Sequence, residues 1–218
     1  MKIMHVKLTF VEPVLGTQPA NESIYRDFIA TKMPEEDRIK IEDEVAALGV
    51  DEVVEKGMTI FPKTVDGNPF FYSYQIRGFF KGACSGLRKV PGTLSSKVKA
   101  YKKEVDQLVF VMPVQIPINL AGPVTTCERS LRASTPQGER VSLAMSEEIP
   151  AGSTAEFRIA LLCDSDEKLV REWLDYGVLH GIGQWRNSGK GRFVWEEVSE
   201  TTEVRDFDND AIKRFAIA

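Results

Sequence analysis

A glycine-rich and basic segment at residues 181–192, here called the glycine loop, holds the residue types most suited to ligand chemistry. Two Gly-x-Gly pairs enclose a stretch without acidic residues, and the candidate contacts are Gly181, Gly183, Trp185, Arg186, Gly189, Lys190, Gly191 and Arg192. Glycine reaches positive φ without penalty and lets a ligand approach the main chain. Successive backbone N–H groups in such turns can form a nest for an anion. The basic side chains add positive charge and Trp185 offers a stacking face for a base, so the loop is predicted to bind phosphate.

The order of elements around the glycine loop excludes two familiar phosphate motifs. The loop follows a predicted helix and precedes a predicted strand, which is the reverse of a dinucleotide-binding fingerprint. It also lacks the Gly-Lys-Ser/Thr of a Walker loop. One alternative stays open, in which Gly181 is a helix C-cap and the rest is an irregular turn.

A second group of basic residues lies on a predicted helix over residues 75–89. At about 100° per residue, an apolar face forms, and Arg77, Lys81 and Arg88 group together beside it, with Lys89 at the end. A third stripe consists of Gly78, Gly82 and Gly86. Each of these glycines costs about 1 kcal/mol relative to alanine in a helix. We therefore expect a sheet, a neighbouring subunit or a phosphate chain to approach this stripe closely.

Charge is segregated along the chain. There are 28 Lys and Arg against 32 Asp and Glu, a net charge of −4. Acidic residues cluster within 35–55, whereas residues 75–103 contain none. This separation is compatible with one basic face on an acidic protein. Hydrophobic residues at 43% and charged residues at 28% indicate a globular chain rather than disorder.

Other features argue against membrane, secretory and metal-dependent classes. His5 and Lys7 interrupt any signal-peptide core, and the apolar run 108–124 contains Gln115, Asn119 and three prolines. The cysteines at 84, 127 and 163 lack zinc-site spacing, and so sparse a set suits a reducing compartment. We expect a soluble cytoplasmic protein that needs no metal and no cofactor.

Apolar periodicity predicts the elements that must position these residues. The predicted strands cover 2–11, 58–61, 107–115, 154–162 and 192–198, and the predicted helices cover 21–30, 34–48, 75–89 and 165–179. Residues 12–21 are predicted to be a loop. Residues 125–134 and 139–146 flank a turn-forming Thr-Pro-Gln-Gly sequence and predict a β-hairpin.

Three segments resemble the RAMP superfamily of CRISPR-associated RNA-binding proteins. Residues 180–193, HGIGQWRNSGKGRF, are similar to the C-terminal glycine-rich loop of that family. Residues 67–88, GNPFFYSYQIRGFFKGACSGLR, resemble the Gly-x-Pro segment and helix of its backbone-subunit branch, and residues 6–16, VKLTFVEPVLG, resemble the first strand of that branch.

The resemblance implies an α+β, ferredoxin-like (RRM-like) antiparallel sheet with helices on one face. A single domain would cover residues 1–199, with an insertion at about 12–74 and a thumb-like hairpin at 125–146, followed by an acidic tail at 200–218. It further implies an RNA-binding subunit of a CRISPR-type ribonucleoprotein, used in antiviral defence. Its partners would be guide or other single-stranded RNA, and either further subunits or copies of itself.

Two other functions remain open. The first is a metal-independent endoribonuclease that processes CRISPR RNA, for which His180 is a candidate by position only. Family members can instead cut target RNA through a loop aspartate, and Asp27, Asp37 and Asp51 are equally available. The second is an assembly protein in which Gly78, Gly82 and Gly86 form a protein interface.

Overall fold

The computed structural model describes residues 2–20, 58–135, 138–163 and 166–198, with the side chains of 131–135 and 138–143 left out of the description. The helices predicted at 21–30 and 34–48, the three candidate aspartates and the acidic tail at 200–218 lie outside these residues. The strands are β1 (Lys2–Phe10), β2 (Val14–Leu15), β3 (Gln18–Pro19), β4 (Thr59–Ile60), β5 (Phe70–Tyr72), β6 (Val109–Met112), β7 (Gln115–Asn119), β8 (Thr125–Thr135), β9 (Gly138–Ile149), β10 (Thr154–Leu161) and β11 (Phe193–Glu197). The helices are α1 (Ser73–Leu87), α2 (Tyr101–Leu108), α3 (Asp166–Asp175) and the single turn α4 (Gly177–His180).

The main sheet is antiparallel and has the order β11–β1–β10–β7–β5, with β6 also paired to β10. Strand β1 pairs with β10 from Lys2↔Leu161 to Thr9↔Thr154, and with β11 up to Phe10↔Phe193. The prediction that the first and last strands share one sheet is confirmed. Together with helices α1, α2 and α3, this sheet makes the chain α+β.

Strict alternation of residue types gives β1, which lies between β11 and β10, one fully buried face. Met4, Val6, Leu8 and Phe10 are at most 1% exposed, while the residues between them are only half-buried. Successive side chains of a strand point to opposite faces, so this sequence places one complete face in the core.

Helix α1 packs through the apolar face that its periodicity predicts. Ile76, Phe79 and Phe80 are at most 3% exposed. The ring of Phe80 lies 5.7 Å from that of Trp173 in α3, and the ring of Phe79 lies 5.1 Å from that of Phe193 in β11. These aromatic contacts join α1 to the helix and the strand that flank the glycine loop.

Two predicted elements differ in the structure. Residues 107–115 do not form one strand, because α2 continues to Leu108 and the ladder breaks between β6 and β7 at Pro113, which has no N–H to donate. Residues 165–179 do not form one helix either. Helix α3 ends at Asp175, and Gly177 follows, where a Cβ would lie 2.3 Å from the ring of Phe193.

A second sheet is built on the predicted hairpin, which is confirmed. Strands β8 and β9 pair from Thr125↔Glu148 to Thr135↔Gly138. Strand β9 also pairs with β2 and, in parallel, with β4, which in turn pairs with β3. The segment 12–21, predicted as a plain loop, therefore contains two short strands. None of the helices in the described residues is long and apolar enough to cross a membrane.

A matched pair of valines tests the core. Val6→Ala in β1 is expected to lower the free energy of unfolding by about 2 kcal/mol, because it removes buried methyl groups and leaves a cavity. Val194→Ala in β11, where the side chain is 46% exposed, is expected to change it by less than about 0.5 kcal/mol. Urea denaturation of both variants measures the difference. Equal losses would contradict the burial of this face of β1.

Candidate functional site

The glycine loop folds back on itself and on the N-terminal segment. The Ile182 N–H donates to the Gly191 carbonyl at 2.9 Å, and the Gly191 N–H donates to the Pro13 carbonyl at 2.8 Å. Gly191 has φ 73°, and a Cβ there would lie 1.8 Å from the Ile182 oxygen. Only glycine fits at this position, so its presence in the sequence has a structural reason apart from any ligand.

The middle of the loop leaves its main chain available. Trp185 is the one non-glycine residue with positive φ in the described residues, at 55°, and a short turn at Arg186–Ser188 follows it. The N–H groups of residues 183–187 have no acceptor elsewhere in the described chain. Gly181 does cap the α4 turn, as the structural alternative predicted, through its N–H bond to Gly177 at 3.1 Å. Capping therefore explains one end of the loop, whereas no described acceptor engages the N–H groups at its centre.

The three basic residues of the loop have different surroundings. Arg186 is exposed. Lys190 forms a 2.6 Å ion pair with Glu148 of β9, both side chains being about one-fifth exposed. The guanidinium carbon of Arg192 lies 3.6 Å from where a Cβ of Gly189 would stand, so this side chain folds back over the loop. Of these three side chains, Arg186 faces solvent, whereas Lys190 is paired and largely buried.

His180 holds the side chain of Arg186. Its ring stacks on Tyr176 at 5.3 Å, and its Nε2 lies 2.7 Å from Nη1 of Arg186. Burial lowers the pKa of His180, and the charge of Arg186 lowers it further. A guanidinium only donates, so Nε2 accepts and the ring proton of a neutral His180 lies on Nδ1. The imidazole is therefore engaged in positioning an arginine.

Helix α1 and the glycine loop meet at Gly82. A Cβ at Gly82 would lie 3.1 Å from Nε2 of His180 and 3.9 Å from Nη1 of Arg186. At Gly86 it would lie 3.3 Å from the hydroxyl of Tyr176, whereas at Gly78 no atom lies within 4 Å. The predicted close approach is thus observed at Gly82 and Gly86, and Gly78 is open. The loop and the helix form one continuous surface.

The basic residues of α1 also divide into engaged and available groups. Lys81 forms a 2.6 Å ion pair with Asp106, and the guanidinium of Arg88 lies 5.2 Å from the ring centroid of Tyr101. Arg77 and Lys89 have no ion-pair or hydrogen-bond partner among the residues described. Together with Arg186, these two are the cations best placed to receive an external anion.

One residue of the site escaped the sequence reasoning. Arg129 of β8 is 8% exposed, and its guanidinium lies 4.7 Å from the ring centroid of Trp185. It donates to Oε1 of Gln184 at 3.1 Å and to Oγ of Ser146 at 3.0 Å. The only signal in the sequence was an arginine at an alternate position of the hairpin, which gives no indication of the loop it meets.

No group of three or more His, Cys, Asp or Glu side chains in the described ranges could hold a metal ion. Cys84 is buried, and burial raises the pKa of its thiol.

No protein-family model and no curated protein sequence matches this chain. Among solved structures, one chain of a type III-B Cmr-beta complex bound to cognate target RNA aligns with a TM-score of 0.51 and 11% identity. The alignment covers 90% of this chain and 58% of that one, so this chain spans little more than half of the similar chain. One chain of a type IV-B CRISPR complex aligns over 99% of both chains, with a TM-score of 0.44 and 10% identity. The first of these similarities shows a shared fold.

The contact at Gly82 can be tested against the open position one turn away. Gly78→Ala is expected to raise the free energy of unfolding by about 1 kcal/mol, because alanine is the better helix former and nothing opposes its methyl group. Gly82→Ala is expected to gain less, because its methyl group would lie only 3.1 Å from Nε2 of His180, which must shift to admit it. Denaturant unfolding of both variants measures this. An equal gain at both positions would show that the loop does not rest on α1.

Proposed function

We propose that this protein binds RNA through the phosphate backbone, using the glycine loop and the basic face of α1, as a subunit of a CRISPR-type ribonucleoprotein. The observation that carries the proposal is the contact at Gly82, where Arg186 of the loop and the adjacent His180 of α4 lie over the helix. Two separate basic segments of the sequence thereby become one surface. A strand of phosphates needs such a continuous track of donors and cations.

The fold supports a RAMP-type, ferredoxin-like domain. Strand β1 is followed by α1, then by β6 and β7, β10, α3 and β11, and the sheet order β11–β1–β10–β7 is antiparallel throughout. In this arrangement the sequence between β1 and α1 corresponds to the predicted insertion, and the β8–β9 hairpin corresponds to the predicted thumb. The fold shared with a chain of an RNA-bound Cmr-beta complex also supports this assignment.

The distribution of charge favours single-stranded RNA as the ligand. Arg186, Arg77 and Lys89 supply cations that no described carboxylate neutralises, and the N–H groups of residues 183–187 add main-chain donors. Trp185, 38% exposed, offers an aromatic ring for a base that is not paired. Lys190, Lys81 and Arg88 serve first to hold the surface together, because each already has a partner within the chain.

The open alternatives predict different behaviour. If the chain were an assembly protein, the glycine stripe would contact another protein. Gly82 and Gly86 are, however, already covered by His180 and Tyr176 of the same chain. If the chain were a ribonuclease, His180 would transfer a proton. Its Nε2 is, however, already engaged in accepting a hydrogen bond from Arg186. Both observations favour an RNA-binding role without cleavage. The partners would then be RNA and other subunits or copies of the chain.

Neutralising single cations tests the proposal. Arg186→Gln and Arg77→Gln are each expected to weaken binding of single-stranded RNA about tenfold, because each removes one charged hydrogen bond to phosphate. The loss is expected to be the same for every sequence, since phosphate contacts do not read bases. The log–log salt slope is expected to flatten by about 0.7 for each lost contact. Fluorescence polarisation at several salt concentrations measures both quantities.

The matched control is Arg171→Gln in α3, which removes the same charge where Arg171 pairs with Glu167 and Glu197. This control is expected to bind RNA as the unaltered protein does. Unchanged affinity and slope in both Arg186→Gln and Arg77→Gln would refute the proposal. RNA that is cut during the assay in the presence of EDTA, and left intact by His180→Gln, would instead establish the ribonuclease.

A further inference from the structure

Arg129 is a buried cation that no carboxylate of the described chain neutralises. The residue is 8% exposed, and its Nε is fully buried without a hydrogen-bond partner among the described residues. The two hydrogen bonds given above both come from Nη2 and both go to neutral oxygens. Removing a charge from water without supplying an opposite charge is costly. Within the described residues, the charge of Arg129 is therefore not balanced by an opposite charge.

The carboxylates nearest in the hairpin are already committed. Glu148 lies on the same face of the hairpin as Arg129, because alternate residues share a face, and it pairs with Lys190. Glu147 lies on the opposite face and accepts hydrogen bonds from the Phe61 N–H and from Lys63. Among the described residues, neither glutamate is available to Arg129.

The surroundings of Arg129 suit a phosphate group. Its planar guanidinium lies over Trp185, the residue whose positive φ turns the glycine loop. The free N–H groups of residues 183–187 belong to that same turn. A guanidinium presents its donors in a fixed fork that matches phosphate oxygens, and lysine cannot reproduce this. A guanidinium that has no carboxylate partner among the described residues thus contacts two side chains, Gln184 and Trp185, of the turn that carries these main-chain donors.

We propose that Arg129 binds a phosphate group of the RNA at the glycine loop, while the exposed part of the Trp185 ring stacks on an adjacent base. The inference rests on the proposed function and adds to it a phosphate site that the hairpin, rather than α1, supplies. The anion neutralises the buried charge. Bound RNA therefore joins the hairpin to the loop.

Replacing Arg129 by an apolar residue separates a ligand-binding role from a structural one. Arg129→Met is expected to leave the melting temperature of the RNA-free protein unchanged or higher, because a buried unneutralised charge is removed. Ser146 keeps its 2.7 Å hydrogen bond to Thr59, and the half-buried Gln184 can turn to water. Affinity for single-stranded oligouridine is expected to fall about tenfold to a hundredfold, with a salt slope flatter by about 0.7.

Two further variants complete the experiment. Arg129→Lys keeps the charge, so this variant is expected to fold and to retain the salt slope. Its affinity for oligouridine is expected to fall, because lysine lacks the planar fork of donors. Trp185→Leu is expected to weaken oligouridine binding with an unchanged salt slope, because it removes stacking and no phosphate contact. Should Arg129→Met fail to fold, Arg129→Lys still decides the matter through its affinity.

A lower melting temperature in Arg129→Met, together with unaltered RNA affinity of the folded protein, would overturn the inference and make Arg129 a structural residue. If RNA affinity is unaltered in Arg129→Met but weakened in Arg186→Gln, the inference about Arg129 fails and the proposed function stands. Unaltered binding in all these variants would reject both.

Discussion

The close main-chain contact at Gly191 is the constraint on which the glycine loop depends. Because this residue has no side chain, the carbonyl of Ile182 can lie where a Cβ would stand, and the Gly191 N–H reaches the Pro13 carbonyl. The two ends of the loop are thereby held together beside β2. Residues 184–188 between them must turn outward, which brings Trp185 to the hairpin and Arg186 to α1. Both contacts of the site follow from this closure.

Charge in the site has two separate roles. Lys190 and Lys81 pair with Glu148 and Asp106, and these pairs fix the loop to the hairpin and α1 to α2. Arg186 is held by a neutral histidine, which orients its guanidinium without cancelling its charge. An acidic protein can therefore present a local cationic surface. In this site the described carboxylates pair with Lys190 and Lys81, which connect elements of the fold, and not with Arg186.

Much of the fold could be predicted from local patterns. The alternation of β1 and the turn-forming residues of the hairpin act over short distances, so both were correct. The apolar content of residues 107–115 predicted one continuous strand, but Pro113 divides it into β6 and β7. For the site, the sequence indicated the loop and α1. It could not show that Arg186 is available to a ligand while Lys190 is paired within the chain. The partner of Lys190 lies on β9, and the ring under Arg129 lies on the loop, so only the tertiary structure distinguishes a bound cation from an available one.

The position of β1 between β10 and β11 in the main sheet has a consequence for biosynthesis. Its two partners, β10 and β11, are the last strands of the described residues, so β1 can pair only after nearly all of these residues have been made. Until those residues leave the ribosome, an apolar strand with two open edges has no sheet to join. Such non-local pairing slows folding and leaves the nascent chain open to aggregation. The apolar face of β1 therefore stays without its sheet partners until β10 and β11 have been made.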